Sequence, residues 1–125
     1  MIIIGDKFIP YEKIESIKKI EDIKETKPNT TLLLDFDKEL MSYCVKNEIQ
    51  YAVNITEIKE ALYSNALKAK YILPPLSIIA HIQKIAENYL FDSKILASID
   101  SDDEIEALAV QNIDGVIFKN LFKEA

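Results

Sequence analysis

The sequence predicts an α/β domain built on a mainly parallel sheet, and three observations carry that expectation. From residue 31 onward, short apolar runs alternate with segments of helical period. The runs LLL, YAV, YIL, KILASI and VIF are mostly apolar, as strands covered on both faces are. A helix-length stretch separates each run from the next, which is the crossover a parallel neighbour requires.

Strands are expected near 31–36, 50–54, 70–73, 94–99 and 114–118, with helices near 38–47, 56–67, 75–90 and 102–111. The first helix offers Leu40, Met41, Cys44 and Val45 as its buried stripe, and Asp37 stands where an N-cap belongs. The second follows Thr56, another capping residue. The third begins at Pro75, whose missing N–H costs nothing in a first turn. It sets Leu76, Ile79, Ile82, Ala86 and Tyr89 against a polar face of Ser77, His81, Lys84 and Asn88. The fourth opens on Ser101-Asp102-Asp103-Glu104, a capping box. Asn47 and Asn112 lie just past helices, where Asn is the second choice after Gly for a left-handed residue.

Residues 1–30 have no such order. Ile2–Ile4 and Phe8–Ile9 flank Gly5-Asp6-Lys7 in the manner of a small hairpin, and Ile14, Ile17, Ile20 and Ile23 recur every three residues. That spacing fits one amphipathic helix from Pro10, or an extended stretch leading to a short helix near 20–26. Lys27-Pro28-Asn29 is a clear break. The chain therefore divides into an N-terminal hairpin/helix extension, 1–30, and repeating βα units over 31–118. Its 125 residues suit a single domain. With right-handed crossovers, about five strands make either a three-layer open sheet of flavodoxin-like topology or a half-barrel. Five strands are too few to close an eight-stranded barrel. The three-layer form is favoured, with dimerisation as a way to cover an edge.

Composition excludes several function classes. A net charge of −6 disfavours nucleic acid, whose binding rests on phosphate neutralisation. All fifteen basic residues are lysine, so the arginine fork that reads phosphate and guanine is missing. Lysine for arginine, with twenty-one isoleucines, fits an AT-rich, bacterial genome. Two isolated glycines cannot assemble a dinucleotide fingerprint or a phosphate loop. No apolar run spans a membrane, and MIIIGDKFIP lacks the basic start of a signal peptide. One cysteine excludes an internal disulfide, so a reducing cytoplasm is the expected setting.

If a site exists, it belongs outside the carboxyl ends of the strands. That edge carries Asp35, Asn54, Asp100 and Lys119 as candidate ligand-binding residues. Asp35, Asp37 and Asp100 are the candidate metal ligands, since Mg²⁺ takes oxygen donors and could activate water. Against this, Asp37 and the 101–104 box are explained by helix capping, which leaves Asp35 and Asp100. His81 falls on a polar helix face and Cys44 on an apolar one, so no nucleophilic pair is assembled.

LLLDFDKEL together with Lys119 in VIFKN resembles the receiver domain of two-component signalling. There an acidic pair follows the first strand and a lysine ends the fifth. The resemblance assigns those roles to Asp35 or Asp37 and to Lys119, but the third strand, KYILPP, lacks the phosphoryl-accepting Asp. What it implies is a pseudo-receiver without phosphoryl transfer. DFD and ASIDSDDE resemble the acidic turns of metal-dependent PIN and NYN nucleases, although the middle strands here supply no acid. IDGVIF is similar to the nucleophile motif of haloacid-dehalogenase phosphatases; Asp114-Gly115 is more simply the turn into the last strand.

The expected function is a non-enzymatic interaction or regulatory module with no catalytic residues and no cofactor. Its partner is a second copy or another protein, not nucleic acid or membrane. The alternatives are a Mg²⁺-dependent phosphohydrolase or nuclease and a pseudo-receiver or small-ligand sensor.

Overall fold

A computed structural model describes residues 1–122. Seven parallel strands form one sheet: β1 (Ile2–Ile4), β2 (Ile14–Ser16), β3 (Thr31–Asp35), β4 (Tyr51–Asn54), β5 (Tyr71–Leu73), β6 (Lys94–Ile99) and β7 (Gly115–Phe118). Helices α1 (Lys38–Lys46), α2 (Ile58–Ala66), α3 (Ile79–Asn88) and α4 (Ile105–Val110) connect β3 through β7. The order across the sheet is β1-β7-β6-β5-β4-β3-β2. The sheet curls into an open half-barrel.

This topology corrects the count of about five strands and the three-layer, flavodoxin-like form. From β2 to β7 each strand lies beside its predecessor, so every right-handed crossover falls on the same face. The larger core cluster accordingly joins helix residues Leu40, Met41, Ile82 and Leu108 to strand residues Leu32, Leu34, Ile72 and Ile95. The smaller cluster, on the concave face, joins Ile4, Leu33, Ala52, Leu73, Leu96 and Ile117, with Leu121 and Phe122 packed against them. Alternation along β3 sends Leu32 and Leu34 to the helices and Leu33 to the concave side.

The N-terminal segment is not a hairpin. Its isoleucines form β1, an edge strand parallel to β7, with Ile2 opposite Gly115 and Ile4 opposite Ile117. Ile14–Ser16 form the other edge, and Ile20–Glu25 make a 3-10 helix where the short helix near 20–26 was expected. The link from β1 to β2 carries no helix, and the link from β2 to β3 carries only the 3-10 helix.

Local boundaries follow sequence rules with informative exceptions. Asp37 caps α1, accepting from the Glu39 and Leu40 amides at 3.0 and 3.2 Å. The Ser101–Glu104 box is present. Thr56 is not the cap of α2; its N–H donates 2.8 Å to Glu60, which reaches back from the first turn. Pro75 opens a turn, closed by Ile78 N–H on its carbonyl at 3.1 Å, and α3 begins later, at Ile79.

All four helices end the same way. The residues Glu48, Lys68, Leu90 and Asn112 have φ of +54° to +61°, and each is followed by an amide that returns to the third-last helical carbonyl: Ile49 to Cys44, Ala69 to Ser64, Phe91 to Ala86 and Ile113 to Leu108. These are Schellman ends, for which glycine is the usual left-handed residue. The chain uses glycine at none of them and asparagine only at Asn112. Leu90 is the poorest fit: a leucine at φ +54° whose side chain is 84% exposed. Leu90→Gly is expected to stabilise the fold by roughly 0.5–1 kcal/mol, because the left-handed penalty disappears and little burial is lost. Urea unfolding should show a higher midpoint with an unchanged slope.

Candidate functional site

The strand carboxyl ends bring the expected residues together in pairs. Asp35 and Asn54 are register neighbours on β3 and β4, and Asn54 Nδ2 donates to Asp35 Oδ1 at 3.1 Å. On the other side of the sheet, Lys119 follows β7 and its ammonium reaches Asp100 Oδ2 at 3.4 Å. Asp35 and Asp100 are both exposed. Asp35 ends β3 and Asp100 follows β6, three strand steps away, or about 14 Å along the sheet at ~4.8 Å per step.

Asp37 does not join either pair. It commits an oxygen to two helix amides, and Asp37→Ala should destabilise the protein by about 1 kcal/mol, with asparagine nearly neutral. Thermal unfolding of the two variants separates a cap from a ligand, since a cap tolerates asparagine. The Asp100 and Ser101 amides both donate to Glu104, at 2.8 and 3.1 Å, so this acidic turn is organised by its own helix start. Among the described residues, no group of three or more His, Cys, Asp or Glu side chains is placed to hold a metal ion. Asp35, Asp37 and Asp100 thus do not share one coordination sphere.

Among the described residues, Cys44 and His81 do not come together as a nucleophilic pair either. Cys44 is buried in the helix-side core, and burial pushes its thiol up to about 11, away from thiolate reactivity. His81 is exposed on α3. Asp114 serves the turn before β7: its side chain accepts from the Ile95 amide at 2.9 Å, and its own amide donates to buried Gln83 at 3.0 Å.

A dense polar cluster lies at the opposite, amino-terminal end of the strands. Glu12, in the crossover between β1 and β2, accepts from Thr31 Oγ1 at the start of β3, from the Tyr71 hydroxyl at the start of β5, and from Lys70 Nζ at 2.8 Å. Gln50 lies 3.4 Å from both the threonine hydroxyl and the lysine. Burial by itself would raise the Glu12 pKa; the bonds from Lys70, Thr31 and Tyr71 outweigh it and hold the carboxyl below its ordinary value. Burial, then the bond to Glu12, push the Tyr71 phenol upward. A solvent-open cavity of about 820 Å³ adjoins the cluster, lined by Ile2, Gln50, Lys70, Tyr71 and Lys94 among others.

Sequence reasoning did not find Glu12. Its partners are 19, 58 and 59 residues away, and it sits in YEK, a tripeptide with no local signature. The amino-terminal end of a parallel barrel carries stability where the carboxyl end carries chemistry. With both Glu12 oxygens engaged by protein donors, the cluster reads as a fastening for the helix-less crossover.

A scan against protein-family models finds no match, and a comparison with curated proteins finds no similar chain.

Proposed function

We propose that this chain is a non-enzymatic contact module that self-associates through the open side of its half-barrel. The observation that carries the proposal is that the sheet ends on two three-residue strands, β1 and β2, joined by a crossover with Phe8 83% exposed and Ile9 and Tyr11 exposed beside it. Edge strands offer unpaired N–H and C=O groups to another chain, and exposed apolar side chains add a hydrophobic contribution. The polar groups at the strand carboxyl ends are meanwhile spent on one another or on helix starts. Sedimentation velocity from micromolar to millimolar concentration should show a dimer growing in; a strict monomer throughout sinks the proposal.

A second reading, a small-ligand or metal sensor, draws on the placement of Asp35–Asn54 and Asp100–Lys119 where parallel sheets bind ligands. The contact-module reading expects millimolar Mg²⁺ to leave the melting temperature unchanged. A rise that Asp35→Asn removes would favour the sensor instead.

A further inference from the structure

We infer that β1 exchanges between two copies of this chain, each copy's N-terminal strand lying against the other's β7. The inference rests on the self-association reading and specifies how it occurs. The β7 edge is shaped to receive this strand. Gly115 lies opposite Ile2, where a Cβ would come within 2.6 Å of the Ile2 carbonyl oxygen, so the two backbones meet at a distance only glycine allows. The Ile2 amide donates to the Asp114 carbonyl at 2.9 Å, and Ile4 is buried in the concave cluster. β1 pairs with β7 and with no other strand.

The segment that follows β1 is loosely held. Its bonds at Asp6 are internal: the Phe8 amide to the Asp6 carboxylate and the Ile9 amide to the Asp6 carbonyl. Among the described residues, the hydrogen bonds that fasten it to the barrel run through the Glu12 carboxylate and the Lys13 carbonyl. Gly5, at φ +103°, provides a turning point directly after the strand. Nine residues from Gly5 to Lys13 reach about 30 Å when extended, enough to carry β1 to a neighbouring molecule. Donor strand and acceptor edge occur on every copy, so two copies satisfy each other with the contacts each makes alone. A two-fold pair closes the exchange, each copy's β7 receiving the other's β1, while the β2 edge of each copy stays open. Glu12 is the latch: while it holds the segment against Thr31, Lys70 and Tyr71, the strand stays at home.

Cross-linking distinguishes the arrangements. Ile3 and Val116 are register partners, so an Ile3→Cys/Val116→Cys chain oxidised at high concentration should give a disulfide between chains in the dimer fraction and within the chain in the monomer fraction. A dimer fraction whose disulfide lies within each chain overturns strand exchange and leaves self-association standing. Monomer at every concentration overturns both. Because Val116 is buried, the unmodified chain provides a second arm. Excess synthetic peptide MIIIGDKFI should lower its dimer fraction by competing for β7, and an unaffected dimer counts against exchange. Glu12→Gln should speed exchange between differently labelled copies about tenfold, as expected for the loss of one charge-assisted fastening. An unchanged rate contradicts the latch.

Discussion

Gly115→Ala is expected to destabilise the protein by about 2–3 kcal/mol and to loosen β1 from the sheet. Gly115 does not have a left-handed φ; its constraint is space. A methyl group there would meet the Ile2 carbonyl oxygen and Cβ at 2.6 Å and Leu96 Cδ2 at 2.7 Å. Leu96 can turn its side-chain end away, but a backbone carbonyl in a paired strand cannot. Either β1 slides outward and weakens its bonds to β7, or it detaches and exposes Ile2 and Ile4. Exposing one buried isoleucine costs roughly 1.5–3 kcal/mol, so the two routes are similar in scale. Valine should be worse than alanine. Urea unfolding measures the loss, and faster exchange of the Ile2 and Ile4 amides would place it at β1. A change below about 0.5 kcal/mol would mean that the edge pairing contributes little to stability.

Glu12→Ala should cost a similar amount, about 2–3 kcal/mol, by a different mechanism. The substitution leaves the hydroxyl of buried Tyr71 without its acceptor and buried Thr31 with only the long contact to Gln50 Oε1 at 3.4 Å. Lys70 loses less, because its side chain is 38% exposed and can turn to water. Glu12→Gln keeps the shape and one acceptor but not the charge, and should cost about half as much. The pH dependence gives this prediction its sign. The folded pKa of Glu12 lies below its ordinary value near 4.5, so its stabilisation is complete above that value and is lost as pH falls through the lower folded one. The stability gap between the native chain and Glu12→Gln should therefore be constant near neutrality and narrow below pH ~4. A gap that is flat into acid would show that the carboxylate charge contributes nothing.

The five central strands and four helices were legible in the sequence because their determinants are local. β3 to β7 are apolar runs of three to six residues, and α1 and α3 show their core faces through helical spacing. Asp37 and the Ser101–Glu104 box were legible for the same reason, since a cap bonds within three residues. Where the determinant is tertiary, the sequence misleads. Ile14, Ile17, Ile20 and Ile23 have helical spacing, yet Ile14 lies in an edge strand, Ile17 is buried and Ile20 is exposed. The three isoleucines of β1 read as strand, but nothing near them says that their partner lies more than a hundred residues away, at Gly115–Ile117. The left-handed ends at Glu48, Lys68 and Leu90 were likewise hidden, because the backbone geometry is imposed by the chain's return to the sheet and not by residue preference. Asn47, a plausible left-handed residue, has φ −104° and Glu48 takes that position instead. At the candidate site, register places Asn54 beside Asp35. The curl and the intervening strands set the relation of Asp35 to Asp100, and no local pattern encodes either.

Amide hydrogen exchange in dilute solution tests most directly whether the half-barrel is open. The Thr31 amide bonds to the Lys13 carbonyl and the Ile17 amide to the Leu33 carbonyl, at 2.9 Å each, which turns Glu15 toward β3 and points the Ile14 and Ser16 amides away from the sheet. By the same geometry, Ile2 bonds toward β7 and Ile3 points outward. The Ile3, Ile14 and Ser16 amides are expected to exchange orders of magnitude faster than that of Leu33, inside the sheet. If all four are equally protected, the barrel is closed or its edges are covered, and the open side cannot be the surface through which this protein acts.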